Sequence, residues 1–127
     1  MAGMKVGQEC RGHNNVIRLR HVVGEQVRTI RIYVLTSNSS DGQLLYLDIK
    51  AGLAGSTISG LLNALSLTAS LALGHGVPLE AILYEWMSLR FEPEGTTTDP
   101  ACPRVGSIVD AVARHLRARY CPAPPAE

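Results

Sequence analysis

Few side chains in this chain of 127 residues could do covalent chemistry. There are three cysteines (Cys10, Cys102, Cys121) and four histidines (His13, His21, His75, His115). Cys10-x-x-His13 has the spacing of half a zinc site. No second pair with ligand spacing completes it, so no metal site is expected. A cysteine nucleophile needs a base beside it, and no histidine is placed for that role. His75 lies between Gly74 and Gly76 and reads as a helix cap. No G-x-S-x-G elbow and no carboxylate pair in a recognisable motif is present. The expectation is therefore a protein without catalytic residues, not an enzyme, with no cofactor.

Phosphate binding is the other chemistry these residues allow. Gly52, Gly55, Ser56 and Thr57 lie where a strand gives way to a helix N-terminus, a place whose free N–H groups favour an anion. The G-K-[ST] ending of a P-loop is missing, so a plain turn is the simpler reading. Ten of the twelve cations are Arg, which suits bidentate phosphate contacts. Arg114, His115, Arg117 and Arg119 sit on the last predicted helix, with Arg104 ahead of it. Arg114 and Arg117 share a face at i, i+3. Two readings stand: cations complementing the helix dipole, or a phosphate clamp with Phe91 as a stacking surface. Phe91 is the only Phe and follows Arg90 where a helix breaks.

The elements that must carry these residues follow from pattern. Val16 to Val23 alternates with β-branched residues and reads as a strand. Val27 to Leu35 continues as a second strand, with Ile30, Ile32 and Val34 on one face. Asn38 to Gly42 is a hairpin loop, and Gln43 to Ile49 is a third strand. The spacing predicts a first helix over 57–73, capped by Ser56 or Thr57. Its sheet-facing stripe is expected to be Ile58, Leu61, Leu62, Leu65, Ala69, Ala72 and Leu73. A second helix starts at Pro78 and runs to about Leu89. Glu94 to Arg104 reads as a loop, and Ser107 caps a third helix over 108–120. The expected fold is α+β: a three- or four-stranded antiparallel sheet followed by three helices packed on one face. Residues 1–13 are expected to be a flexible lead-in, 14–121 one domain, and 122–127 a disordered tail.

Charge is unevenly placed. Formal net charge is +1, which argues against a general polyanion binder, so neither DNA nor RNA is expected as partner. Residues 51–79 carry no charged side chain. Small polar groups interrupt that run too often for a membrane span. No apolar segment marks a signal peptide at the N-terminus, so the reading is cytoplasmic, with free thiols and no structural disulfide. Ser59, Asn63, Ser66 and Ser70 form a second, uncharged stripe on the first helix. A solvated face would carry Glu, Lys or Arg, so this stripe is expected to be a contact between copies of the chain.

Gly55-Ser56-Thr57-Ile58-Ser59-Gly60-Leu61, Ser70-Leu71-Ala72-Leu73, Gly76-Val77-Pro78-Leu79, Arg90-Phe91-Glu92-Pro93 with Gly95, and Ser107-Ile108-Val109-Asp110 occur in a characteristic order. From about Arg18 to Arg119 the chain resembles the C-terminal region of adenosylcobalamin-dependent ribonucleotide reductases. It departs from that pattern at Ala54, Leu67, Ala111 and Ala113. The radical chemistry of those enzymes lies in a barrel domain outside this region, so the resemblance implies a non-catalytic module. It extends to free-standing phage Thoeris anti-defence sponge proteins, which bind cyclic ADP-ribose isomers or cyclic oligonucleotides without cleaving them. That likeness implies a small phosphorylated nucleotide ligand and a dimer or hexamer formed through helix 57–73. It places the protein in the host cytoplasm if phage-encoded. It further implies that Phe91, beside Arg90, stacks on a base, that Arg114 and Arg117 contact phosphates, and that a loop from Thr97 to Asp99 closes over the ligand. The alternative it carries is a stand-alone accessory or regulatory module related to the reductases.

Overall fold

The computed structural model describes residues 10–52 and 55–121. The expectations for residues 1–9 and 122–127, and the Ala54 departure, lie outside them, as does the side chain of Cys10. The chain runs β1 (Cys10–Val23), β2 (Gln26–Ser39), β3 (Leu44–Lys50), α1 (Thr57–Gly74), α2 (Leu79–Met87), β4 (Gly95–Thr97), β5 (Arg104–Val105) and α3 (Ile108–Tyr120). This is the α+β class expected, with one antiparallel sheet of five strands in the order β3-β2-β1-β4-β5. Three strands were anticipated, or at most four. The two extra ones come from the segment read as a loop over 94–104. The strand read from Val16 also begins earlier, at Cys10, and pairs with β2 along its whole length.

Alternation in β1 and β2 does what the sequence suggests. Ile17 and Leu19 on β1 face inward with Ile32 and Val34 on β2 and Leu47 and Ile49 on β3, all essentially free of solvent. Val112, Ala113 and Leu116 of α3 and Leu83 and Trp86 of α2 share that core. Gly42 takes φ +88° at the β2–β3 turn, a conformation that strongly favours glycine. Ser56 caps α1 by accepting from the Ser59 amide at 3.1 Å.

Helix α1 corrects two expectations. Leu62, Ser66, Ala69 and Leu73 are its buried residues, whereas Ile58 and Leu61 are exposed. The serine stripe is not a free surface. Ser66 Oγ accepts from the Ile49 amide at 2.9 Å and donates to Leu62 O at 2.7 Å. Ser70 Oγ accepts from the Leu47 amide and donates to Leu47 O, both at 3.1 Å. The reason is geometric. β3 is an edge strand, so alternate amides point away from the sheet without a strand partner. Residues i and i+4 on a helix are about 6 Å apart along its axis, close to the spacing of i and i+2 on a strand. Two serines at that spacing close the edge. What remains outward on α1 is uncharged and mixes polar Asn63 and Thr68 with Leu61, Leu67 and Leu71, each of these leucines more than half exposed. By length and composition α1 is the one described helix that could cross a membrane. Its serine bonds and buried residues instead fix it to the sheet.

Ser66→Ala should cost about 1–3 kcal/mol, because it leaves the buried Ile49 amide unpaired. Urea unfolding checks this; a midpoint equal to that of the parent protein would show that water replaces the hydroxyl.

Candidate functional site

The residues with polar chemistry gather where the β4–β5 segment meets the start of α3. Ser107 is the N-cap of α3 and is fully buried. Its Oγ accepts from the Asp110 amide at 2.9 Å and donates to Leu89 O at 3.0 Å, tying α3 to the end of α2. Asp110, 4 % exposed, accepts from the Gly106 amide and from Arg114 Nε, both at 2.8 Å. The Gly106 carbonyl in turn accepts from the Phe91 amide at 3.0 Å. Gly106 also lies against the Arg90 stem: a Cβ there would stand 3.0 Å from Arg90 Cγ. One network therefore joins Arg90, Phe91 and Arg114 through Gly106 and Asp110. Arg90 and Phe91 are exposed. Arg117 is exposed one turn beyond Arg114 on α3.

Thr97 and Asp99, expected in a loop that closes over a ligand, lie in the β4–β5 connection and bond within the chain. Thr97 Oγ1 accepts from the Asp99 amide at 3.1 Å and donates to Cys102 O at 2.5 Å. Asp99 Oδ1 accepts from the Ala101 amide at 2.9 Å, and Oδ2 pairs with His115 Nδ1 at 2.7 Å. Both side chains take part in folding the β4–β5 connection and pinning it to α3. Sequence reasoning missed the Asp99–His115 pair. Sixteen residues separate the two, and no local spacing signals the contact.

An aspartate-oriented histidine is half of a nucleophile–base arrangement. Among the described residues no nucleophile is bonded to it. His115 Nε2 is buried and without a partner among the described residues. Cys102 is fully buried beside Thr97 and Asp99, and burial pushes its thiol up to about 11. A protonated, enclosed thiol is inert. Cys102 should therefore stay unmodified by a thiol reagent in folded protein and react only on unfolding. Cys121, half-buried and its pKa raised chiefly by burial, should react first of these two. Time-resolved labelling with mass readout separates them; early modification at Cys102 would contradict its placement.

The remaining assignments resolve simply. His75 caps α1, its amide bonding to Leu71 O and Ala72 O and its ring to Leu71 O. Arg119 reaches Asn15 Oδ1 at 2.7 Å, fastening α3 to β1. Among the described residues no group of three or more metal-ligating side chains comes together. A cleft of about 570 Å³ lies elsewhere, between the β2–β3 turn, the α1–α2 turn and the end of α3. Asp41, Glu80, Tyr120 and Cys121 are in its wall, and none of Arg90, Phe91, Thr97, Asp99, Arg114 or Arg117 lines it.

These features define a single α+β module whose polar centre is a capped helix start carrying arginines, stabilised by its own hydrogen bonds. The chain belongs to the TSCPD domain family, whose model matches residues 11–120. It is 36 % identical over 90 residues to the vitamin B12-dependent ribonucleotide reductase of Streptantibioticus cattleyicolor, covering 71 % of this chain and 15 % of that one. The Streptomyces clavuligerus enzyme of the same name is also 36 % identical over 90 residues, 71 % of this chain and 9 % of that one. The Rhodopirellula baltica enzyme is 34 % identical over 84 residues, 66 % of this chain and 8 % of that one. The chain thus spans less than a sixth of the length of these relatives. No solved structure matches it. The Ser107-x-x-Asp110 motif that carries part of the likeness is explained structurally, as the buried cap of α3. Ala111 and Ala113, where the chain departs from the reductase pattern, are fully buried, so larger side chains there would have to displace the core.

Proposed function

We propose that this protein is a non-catalytic TSCPD module, cytoplasmic, that acts as an accessory or regulatory partner related to vitamin B12-dependent ribonucleotide reductase. The observation that supports it is the match of residues 11–120 to the TSCPD family, with stretches of 84–90 residues aligned to segments that make up 8–15 % of those enzymes. In this reading a segment so small contributes binding rather than the reaction. Its ligand in this reading is a small phosphorylated nucleotide, with Arg90, Phe91, Arg114 and Arg117 as the contact residues. Phe91 offers an exposed ring next in sequence to the exposed Arg90, and Arg114 and Arg117 lie on successive turns of α3. Light scattering of this chain mixed with a B12-dependent reductase shortened by its own TSCPD segment tests the reading. A complex at micromolar concentration supports it; two separate species would overturn it.

Sequestration of a cyclic nucleotide signal, as in anti-defence sponges, is the second reading. It is favoured by one observation, the uncovered apolar face of α1, which suits a homo-oligomer with ligand held between chains. Leu67 and Leu71 lie on that face. In this reading the parent chain is a dimer or hexamer, and Leu67→Glu with Leu71→Glu makes it a monomer. Calorimetry against cyclic ADP-ribose isomers and cyclic di- and trinucleotides completes the test. A monomeric parent, or no heat with any of these ligands, removes this reading.

A further inference from the structure

The face of the sheet turned away from the helices holds a set of arginines used by none of the above. Arg18 on β1 stands directly opposite Arg31 on β2. Arg20 is two residues along β1, on the same face, and lies opposite Thr29. Across the other edge of β1, Arg20 is paired with Thr96 of β4, and Thr96 with Arg104 of β5. Four arginines therefore project from one surface, and all four are exposed. None has a salt bridge among the described residues. Asp48 is the only acid in the five strands, and Lys50 holds it at 3.3 Å. Tyr33 adjoins this group, two residues beyond Arg31 and beside Lys50.

Like charges placed directly opposite on neighbouring strands oppose folding. The Arg18–Arg31 pair is thus a cost to the free protein that an anion would relieve. Net charge conceals the patch, because apart from Asp48 the described acids lie in turns, loops and helices elsewhere. A second copy of the chain is a poor occupant, since two such faces repel. Strands are about 4.8 Å apart, so the set extends for roughly 15 Å from β2 to β5, longer than one phosphate needs. Threonines at 29 and 96 add hydroxyl donors between the cations. An aromatic ring beside a row of cations on an open antiparallel sheet is the arrangement that holds a single strand, with bases stacked and phosphates paired.

We propose that this open sheet face binds single-stranded nucleic acid, with Arg18, Arg20, Arg31 and Arg104 on phosphates and Tyr33 stacking on a base. The site is separate from the α3 network and does not depend on the function proposed above. The test is fluorescence anisotropy of a labelled oligouridine with the full chain. Binding should weaken steeply with salt, with a log–log slope of about −0.7 per phosphate contacted, near −3 for four. Arg18→Ala with Arg31→Ala should weaken binding by about tenfold or more. The same variant should melt no lower than the parent, because removing the opposed charges relieves repulsion. Tyr33→Leu should weaken binding and leave the salt slope unchanged. The proposal fails if no anisotropy change occurs up to about 100 μM protein in ~50 mM salt. It also fails if the arginine variant binds unchanged, or if an Asp/Glu-rich peptide or anionic lipid vesicles compete as well as unlabelled oligouridine does.

Discussion

Gly95→Ala should lower the melting temperature by roughly 8–15 °C, from a loss of about 2–4 kcal/mol in a domain of this size. The cause is a close approach of backbones. A Cβ built on Gly95 would stand 1.8 Å from the carbonyl oxygen of Arg20 and 2.9 Å from its carbon. Neither atom belongs to a flexible side chain, so β4 would have to leave β1. β4 meets β1 through two residue pairs, Leu19 with Thr97 and Arg20 with Thr96. Displacing it loosens the Thr97–Asp99–Cys102 turn and the Asp99–His115 pair as well. Gly60→Ala is the control. Nothing lies within 4 Å of its added methyl, and it sits in the exposed part of α1. Alanine is the better helix former by about 1 kcal/mol, so Gly60→Ala should melt at or above the parent temperature. Circular dichroism melts of the two variants decide the matter. Equal melting of Gly95→Ala and the parent would mean that β4 is not held as described.

The requirement at Gly95 was visible in the sequence only as a glycine in a loop. A three-residue strand such as Gly95–Thr97 has no periodicity to detect, and its partner lies more than seventy residues away. The longer elements were legible because their signals are local. Alternating β-branched residues mark β1 and β2, Asp-Gly marks the hairpin, and Ser56 and Ser107 mark helix starts. On α1 the expected stripe was right at Leu62, Ala69 and Leu73, and wrong at Ile58 and Leu61 and at the inward Ser66 and Ser70, for a definite reason. The serine stripe was assigned to a second copy of the chain, while Ser66 and Ser70 serve the unpaired amides of an edge strand. An edge strand followed by serines at i and i+4 is the pattern that would have revealed it. The arginines of the outer sheet face were legible one strand at a time, as alternate residues. Only the register places Arg18 opposite Arg31. At the α3 network the types were legible and the partners were not. Arg114 was read as complementing the helix dipole or clamping a phosphate, and neither reading found its partner Asp110.

That pairing makes Asp110→Ala the second change with a large expected effect. Asp110 is buried, and its two oxygens serve a backbone amide and a guanidinium. Removing it strands the Gly106 amide and costs about 2–4 kcal/mol, the range for a lost buried acceptor together with part of a helix cap. Asp110→Asn should fall between: one oxygen survives, while the new NH2 group faces a donor. Arg114 is partly exposed, so on losing Asp110 it turns to water rather than remaining buried and unpaired. Arg114→Ala should therefore cost less stability than Asp110→Ala, by at least about 1 kcal/mol. The pair of variants also separates structure from ligand binding. A ligand phosphate that takes up Arg114 must compete with Asp110 for it. Asp110→Asn weakens that competitor, so among variants that remain folded it should bind a phosphorylated ligand at least as well as the parent, while Arg114→Ala binds it worse. If Arg114 serves only to brace α3, both variants lose stability and neither changes affinity. Urea unfolding and calorimetry on the same three proteins distinguish the two outcomes.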